Sequence, residues 1–325
     1  MKGPSTKELG YRTDQLLWQL AGLWPSSARR RLWLPESVTF EGTPDLTLGI
    51  CAIVRNEEAY LDEWLEFHRM IGVEHFFIYD NGSTDGSILK LRQSPHADRI
   101  TIIDWANFLS GWEGVTGPMG RMQRLAMLHC VANYGHVAQW LGFIDVDEFL
   151  YPATAASLLD ILAEYDDLES LSVYWSMFGT SSNVDKPEGL VAENYTQRRR
   201  TPAGSEKNLC RVKSIVRPRA VTGVHNTHTL ILRNGYPESW TEKRVHIGHA
   251  DHRPQHFSDE VLRINHYYSK SSEEYHARRA VPAEGNRGDF RSNDRLLKLI
   301  EQDTVEDLAI QRFVPELRRR LKLQK

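Results

Sequence analysis

Short apolar runs alternate with amphipathic segments between residues 47 and 150 of the chain. The run Leu48–Val54 is continuously apolar, which is typical of a parallel strand covered on both faces. Residues 60–70 carry apolar side chains three and four positions apart, a spacing that predicts a helix. Two more strand–helix pairs follow, and a fourth strand is predicted over Gln139–Ile144. These repeated units predict an α/β fold with a parallel sheet and right-handed crossovers.

The segments on either side of this region have a different pattern. Residues 1–46 predict an arm that packs on the main domain, although tryptophans beside arginines also suit a membrane interface. Beyond residue 151 the pattern is mixed, with strands predicted over Ser170–Phe178 and Val212–Val216. Residues 305–325 predict a basic amphipathic helix. The predicted divisions of the chain are 1–46, 47–152, 153–290 and 291–325.

Composition narrows the class of protein. The 325 residues have a formal charge of −3, and 41% are hydrophobic, as in an average soluble globular protein. The sequence pI near 6.5 gives no support for a nucleic-acid binder, whose domains usually exceed a pI of about 9. Three dispersed cysteines without a CxxC pair argue against a thiolate zinc site or a disulfide framework. No run of about 20 apolar residues and no signal-peptide core is found, so we expect a cytoplasmic location, with peripheral contact at the inner membrane face left open.

Polar clusters follow three of the predicted strands: Arg55 to Glu57, Asp80 to Asp85, and Asp145 to Glu148. In an open parallel sheet, ligands bind beyond the carboxyl ends of the strands. The convergence of the three clusters therefore predicts a binding site. Each cluster alone is weaker, since an Asn-Gly turn flanked by aspartates is often only a turn with a helix cap.

The segment Asp145-Val146-Asp147 carries the most specific chemistry. In an extended chain, alternation places both carboxylates on one side. Two carboxylates so close together raise each other's pKa, and a hard divalent cation removes that conflict. Mg²⁺ and Mn²⁺ both bind carboxylate and phosphate oxygens. The segment predicts a site for a metal-bound diphosphate, and the alternative is a solvated acidic strand end.

Two other patterns bear on the class of enzyme. His246, His249 and His252 have the spacing of metal ligands, although a polar loop explains them as well. A nucleotidyltransferase or metal phosphohydrolase would be expected to carry a phosphate loop of the type GxxxxGK[ST] after the first strand. The acidic and amide-rich residues at that position disfavour those classes.

Five segments of the chain carry a family likeness, in this order: CAIVRNEEAYLDEWLEFHRMIGVEHFFIYDNGSTDGS, QWLGFIDVDEFLYP, YWSMFGTSSN, KSIVRPRAVTGVH and INHYYSKSSEEY. Together they resemble glycosyltransferase family 92, which is close to family 2. The resemblance implies a GT-A-type fold with a Rossmann-like, mostly parallel sheet and flanking helices. Residues 47–152 would then be the nucleotide-sugar-binding half, and residues 153–290 a mixed α+β acceptor half. The arm and the basic C-terminal helix of residues 291–325 lie outside the family pattern.

The resemblance also implies ligands and chemistry. It implies a UDP-sugar donor, Mn²⁺ or Mg²⁺, and inverting transfer of a hexose to a glycan or lipid-linked acceptor, without a nucleic-acid partner. The oligomeric state is left open. Two alternatives remain: a module of this fold that binds a nucleotide without turnover, and another metal-dependent nucleotide enzyme.

Individual roles follow from position in the family motifs. The resemblance implies a nucleotide site formed by Asn56, Glu57, Asp80, Asn81, Asp85, Gln123, Arg124 and Asp145. It implies a metal held by Asp147, with Asp145 on the metal or near the ribose and Glu148 supporting the ligands. His225 and His266 are the candidates either to complete the metal shell or to contact the diphosphate.

The chemistry of transfer and the resemblance together indicate the catalytic groups. An inverting enzyme needs a carboxylate to accept the proton of the acceptor hydroxyl. In related folds this base follows the strand and glycine after the metal motif, so the resemblance implies Asp185 or Glu193, with Glu188 as a further option. Negative charge on the departing phosphate needs cations. The candidates for that role are Lys213, Arg217 and Lys270.

Overall fold

A ten-stranded mixed sheet forms the centre of the protein. The fold is given by a computed structural model, described over residues 32–35, 38–110, 119–200, 209–248, 254–280 and 290–323. The first 31 residues of the arm, together with His249 and His252, lie outside the described residues.

The strands are short and are numbered in chain order. They are β1 (Leu32–Trp33), β2 (Leu46–Val54), β3 (His75–Asp80), β4 (Ile100–Asp104), β5 (Ala138–Phe143), β6 (Glu148–Pro152), β7 (Ser170–Met177), β8 (Gln197–Arg199), β9 (Val212–Val216), β10 (Val221–Val224), β11 (Leu230–Leu232), β12 (Glu238–Trp240), β13 (His246–Gly248), β14 (Leu262–His266) and β15 (Thr304–Glu306). The predicted strands of residues 47–150 are confirmed to within two residues at each end.

The α-helices of the described chain are numbered in the same way. They are α1 (Leu61–Met70), α2 (Ser87–Gln93), α3 (Trp105–Ser110), α4 (Met119–Tyr134), α5 (Leu158–Ala163), α6 (Val191–Asn194), α7 (Ser272–Ala280), α8 (Phe290–Glu301) and α9 (Val314–Leu321). None of these described helices combines the length and the apolar character that crossing a membrane requires.

Strand order shows how the two halves of the chain join. The order is β13-β12-β7-β9-β5-β2-β3-β4, and β14 pairs with both β6 and β7. Strands β5, β2, β3 and β4 are mutually parallel, as predicted for the first half. Strand β9 is antiparallel to β5 and to β7, so the second half extends the same sheet with mixed pairing. The predicted α/β class is confirmed.

Both faces of the parallel strands are covered, which explains their apolar sequences. In β2, Ile50 faces a core that includes Trp64 of α1, whereas Cys51 faces a second core that includes Leu128 of α4. Because successive side chains of a strand alternate between the two faces, an uninterrupted apolar run is needed where both faces are buried.

The C-terminal segment differs from the prediction. A single basic helix over residues 305–325 is wrong: residues 304–306 form β15, which pairs with β8, and the helix α9 begins only at Val314. The β-branched pair Thr304-Val305 suits a strand, and Pro315 suits the first turn of a helix. Leu317 of α9 is fully buried in the main core.

The arginines of α9 are engaged within the protein. Arg318 pairs with Glu193, Arg320 with Glu66, and Arg319 with Glu316 of the same helix. At the other end of the chain, β1 of the arm pairs with β10. The described parts of both terminal segments therefore pack on the domain.

Candidate active site

A tight turn joins β5 to β6 and carries the acidic segment. The N–H of Glu148 donates to the carbonyl of Asp145 at 3.1 Å, and the N–H of Asp145 donates to the Glu148 carboxylate at 3.0 Å. Val146 is buried between them. The chain thus reverses at this point instead of continuing as an extended strand, and three carboxylates lie around one turn.

Asp147, Glu148 and His266 form a group whose ligand atoms all lie within 4.8 Å of one another. Sheet register explains the meeting, because His266 of β14 pairs with Glu148 of β6. The N–H of Tyr267 also donates to the carbonyl of Asp147 at 2.9 Å. His266 Nε2 lies 3.6 Å from Asp147 Oδ1.

Two buried polar atoms of this group are orphaned within the described residues. Glu148 is fully buried and its Oε1 accepts no hydrogen bond, and Nδ1 of the buried His266 is likewise unpaired. Burial raises the pKa of Glu148 well above its ordinary value, against the opposing effect of Lys213. Two carboxylates suit Mn²⁺ or Mg²⁺, and an imidazole ligand favours Mn²⁺ over Mg²⁺. The residues present therefore fit a divalent cation.

Positive side chains surround Asp147. Arg278 of α7 donates to Asp147 Oδ2 at 3.1 Å and to the carbonyl of Tyr268. Burial acts to raise the pKa of Asp147, but His266, Arg278 and Lys270 outweigh it and hold this pKa well below the usual range. The carboxylate is therefore ionised and can act as a ligand.

Asp145 has a separate set of partners. Its Oδ2 accepts from Lys213 Nζ at 2.7 Å, and its Oδ1 accepts from Gln123 Nε2 at 3.0 Å. Lys213 is buried in β9 and also lies 3.5 Å from Glu148 Oε2. The structure thus brings together three residues named in the sequence analysis: Asp145, Gln123 and Lys213. A direct role of Asp145 in metal binding stays a prediction.

The loops after β2 and β3 hold each other through their polar residues. Asn56 has left-handed backbone (φ 58°), and its Oδ1 accepts from the N–H of Thr84 at 2.7 Å. Asp80 accepts from the N–H of Ser83 at 2.9 Å, and Asp85 accepts from Glu58 at 3.1 Å. These contacts explain part of the polar pattern by loop structure. Contact of these side chains with a nucleotide stays a prediction, as it does for Asn81 and Arg124.

Glu57 links these loops to the acidic turn. Its N–H donates to Ser87 Oγ at 2.9 Å, and burial raises the pKa of its carboxyl to about 7, against the opposing charge of Lys270. Asp147 is also among its electrostatic neighbours. The strand ends of β2 and β5 therefore contribute to one site, in agreement with the predicted convergence.

The remaining predicted residues occupy three different surroundings. Asp185 is exposed on the loop that follows β7. Glu193 of α6 accepts two hydrogen bonds from Arg318, at 2.6 and 2.9 Å. His225 lies between β10 and β11, where its N–H donates to the carbonyl of Thr229 at 3.1 Å, and it is not one of the three grouped ligands. Roles for Asp185, Glu193 and His225 stay predictions.

Tyr60 and Arg278 belong to this region but were not predicted. Tyr60 precedes α1, and its spacing in the sequence indicates only the apolar face of that helix. Arg278 lies in α7, 131 positions from its partner Asp147. No local pattern marks either residue, because their surroundings arise only from tertiary packing.

Comparison with known proteins identifies the family. Residues 45–283 match the family model described as Glycosyltransferase family 92. The chain is 30% identical over 226 residues to a family 92 protein of Oryza sativa subsp. japonica, covering 68% of this chain and 33% of that protein. It is 32% identical over 197 residues to a family 92 protein of Ricinus communis, covering 58% of this chain and 32% of that protein. The chain thus spans about a third of the length of the curated relatives it matches.

Similarity to solved structures is more distant. The structure of S. aureus TarS 1–349 in complex with UDP is 14% identical, with a TM-score of 0.33 over 53% of this chain and 47% of that chain. The family match, in contrast, runs through both halves of the sheet and includes the acidic turn and His266. The chain belongs to glycosyltransferase family 92.

Proposed function

We propose that this protein transfers a hexose from a UDP-sugar to a glycan or lipid-linked acceptor, with inversion and with a divalent cation, Mn²⁺ in preference to Mg²⁺. The observation that carries the proposal is the grouping of Asp147, Glu148 and His266 at the same sheet edge as Glu57. Family membership supports glycosyl transfer. The choice of UDP rests on the resemblance of the sequence motifs.

Asp147, Glu148 and His266 would hold the cation. When bound, a divalent cation supplies positive charge beside the leaving diphosphate, an effect worth several kcal/mol in enzymes generally. Burial of Glu148 and the unpaired Oε1 favour this role, because a cation compensates a carboxylate that no protein group satisfies.

Asp145 and its partners would orient the donor. Lys213 balances the charge of Asp145, and Gln123 fixes one of its oxygens, so the carboxylate is held in one position. The Asp145 side chain is still 32% exposed, whereas Lys213 is 5% exposed. We assign Asp145 to the nucleotide side of the site and Lys213 to its electrostatic support.

Asp185 is the better supported of the two candidate bases. Glu193 accepts from the guanidinium of Arg318 and from the N–H of Leu190, so its oxygens are already engaged. In the described part of the chain, no hydrogen bond or ion pair engages the Asp185 carboxylate. Asp185 also adjoins Lys186, which contacts Tyr60 near Glu57.

The test is a panel of UDP-, GDP- and CMP-sugars, with nucleotide release measured with and without Mn²⁺. UDP-sugars should be hydrolysed only with the metal, and Asp147→Ala and His266→Ala should each lower the rate at least 100-fold. Matched controls are Asp98→Ala and His246→Ala, since both side chains are more than half exposed. Metal-independent release, or equal rates in both pairs of variants, would overturn the proposal. UDP binding without turnover would favour the non-catalytic alternative.

Location remains a separate proposal. A cytoplasmic protein with peripheral membrane contact fits the basic C-terminal segment, but the arginines of α9 are already engaged in ion pairs. Retention on anionic liposomes at low salt would support membrane contact, and free protein in the supernatant would refute it.

A further inference from the structure

Two lysines converge on the ring of Tyr60. Lys270 Nζ lies 3.6 Å from the ring centroid, and Lys186 Nζ lies 4.7 Å from it. Lys270 follows β14 by four positions, and Lys186 belongs to the loop after β7. Two separate parts of the acceptor half therefore direct ammonium groups to one aromatic ring beside the acidic site.

Lys270 is buried without an anionic partner. The residue is 4% exposed and has left-handed backbone, with φ 53°. Its ammonium makes no hydrogen bond or ion pair to any residue that the structure describes, and it lies over the ring of Tyr60. Burying an unpaired cation costs several kcal/mol, and contact of a desolvated ammonium with an aromatic ring returns only about 2 kcal/mol. Burial accordingly lowers the pKa of Lys270, although Glu57 opposes this effect.

The charges nearby leave the lysines undercompensated. Asp147 and Glu57 are the carboxylates that attract Lys270, whereas Arg278 and Lys186 repel it. Asp147 is already bonded to Arg278. Within the described residues, Lys186 and Lys270 therefore lie against one ring with no bonded carboxylate of their own, an arrangement that suits an oxyanion.

We propose that Lys186 and Lys270, held against the ring of Tyr60, form an oxyanion subsite that binds a phosphate group. The inference rests on the proposed function, because the subsite adjoins the metal group of the transferase. The phosphate has two possible sources: the diphosphate of the donor or a phosphate on the acceptor. Both have the same chemistry, so binding measurements must separate them.

The first experiment measures the affinities of UDP and uridine by calorimetry at fixed ionic strength and with saturating Mn²⁺. If the donor is the source, Lys270→Met should weaken UDP binding at least ten-fold and leave uridine binding unchanged. Lys186→Met should act in the same direction, and because Lys186 is exposed, this variant keeps the fold. The matched control is Lys243→Met, since Lys243 is exposed and pairs with Glu260 away from the site.

The second experiment adds inorganic phosphate to protein saturated with UDP. If the acceptor is the source, phosphate should bind to the wild-type protein and at least ten-fold more weakly to Lys270→Met. If both lysine variants bind UDP and phosphate as tightly as the wild type does, the subsite is refuted and the proposed transferase function is unaffected. Phosphate binding that depends on Lys270 in a protein that does not bind UDP would support the subsite and overturn the donor assignment. A wild-type protein that binds neither ligand overturns both.

Discussion

Lys213 is expected to be essential for stability as well as for the site. Its side chain is 5% exposed, and its ammonium lies 2.7 Å from Asp145 and 3.5 Å from Glu148, whose side chain is 0% exposed. Burial acts to lower the pKa of Lys213, but these carboxylates outweigh it and raise this pKa above the ordinary value. The variant Lys213→Met keeps most of the volume and removes only the charge and the donors.

The size of the effect follows from what is left behind. Breaking a buried ion pair by removing one partner typically costs about 3–5 kcal/mol, because the other charge remains buried. Asp145 can be solvated on its exposed side, but Glu148 cannot. We therefore expect Lys213→Met to lower the free energy of unfolding by ~3–5 kcal/mol at pH 8.

The loss should depend on pH in a defined direction. In the variant, the folded-state pKa of Glu148 rises further above its unfolded value, so the folded protein binds a proton that the unfolded chain releases. The variant then keeps its stability at low pH and loses it as the pH rises above the pKa of Glu148 in the unfolded chain. The difference in unfolding free energy between the wild type and the variant should therefore grow between pH 5 and pH 8. Adding Glu148→Gln removes the buried charge, so the double variant should recover at least ~2 kcal/mol at pH 8.

Urea unfolding of the metal-free protein measures these differences. Lys243→Met is the control, because exposed ion pairs contribute at most about 1 kcal/mol. Two results would refute the reasoning: a Lys213→Met protein within 1 kcal/mol of the wild type, or a double variant that is no more stable than the single one.

Three further predictions concern the fold. Gly72 has φ 110°, and an added Cβ would lie 2.8 Å from Leu159, whereas a Cβ added at Gly42 meets nothing within 4 Å. Gly72→Ala should therefore lower the free energy of unfolding by ~2 kcal/mol more than Gly42→Ala does. Equal urea midpoints for the two variants would contradict this. Burial lowers the pKa of His129 to about 3. Lowering the pH from 6.5 to 4.5 should therefore reduce the free energy of unfolding of the wild type by ~2–3 kcal/mol more than that of His129→Gln. An equal dependence of unfolding free energy on pH in both proteins would contradict this. Burial raises the pKa of Glu63 to about 7. The free energy of unfolding should therefore fall by ~3 kcal/mol as the pH rises from 4.5 through 7. Thermal unfolding should show a weaker dependence of stability on pH in Glu63→Gln.

The first half of the chain was the more predictable part. Its strands are covered on both faces, and its helices have one apolar face, so each element leaves a periodic mark in the sequence. The C-terminal segment shows the limit of that reasoning. Basic and apolar residues with helical spacing continue through residues 305–325, but pairing of β15 with β8 competes with the helix and prevails.

The acidic site shows a second limit. Alternation in an extended chain places Asp145 and Asp147 together, but the chain turns after β5, and Glu148 joins Asp147 instead. The turn depends on hydrogen bonds between residues 145 and 148 that the sequence pattern does not reveal. The sequence does not reveal which histidine lies beside Asp147 and Glu148, because the place of His266 depends on the register of β14 against β6.

The position of β14 has a consequence for when the candidate site is completed during synthesis. This strand lies between β6 and β7, although it follows them by about a hundred residues in the chain. A nascent chain that ends before residue 262 exposes the unpaired edges of both strands and lacks the imidazole of the acidic group. Closing so long a loop is slow, because its entropy is lost before the pairing is gained. Completion of the sheet and completion of the acidic group are therefore one late event, and a truncated product would be aggregation-prone and would lack His266.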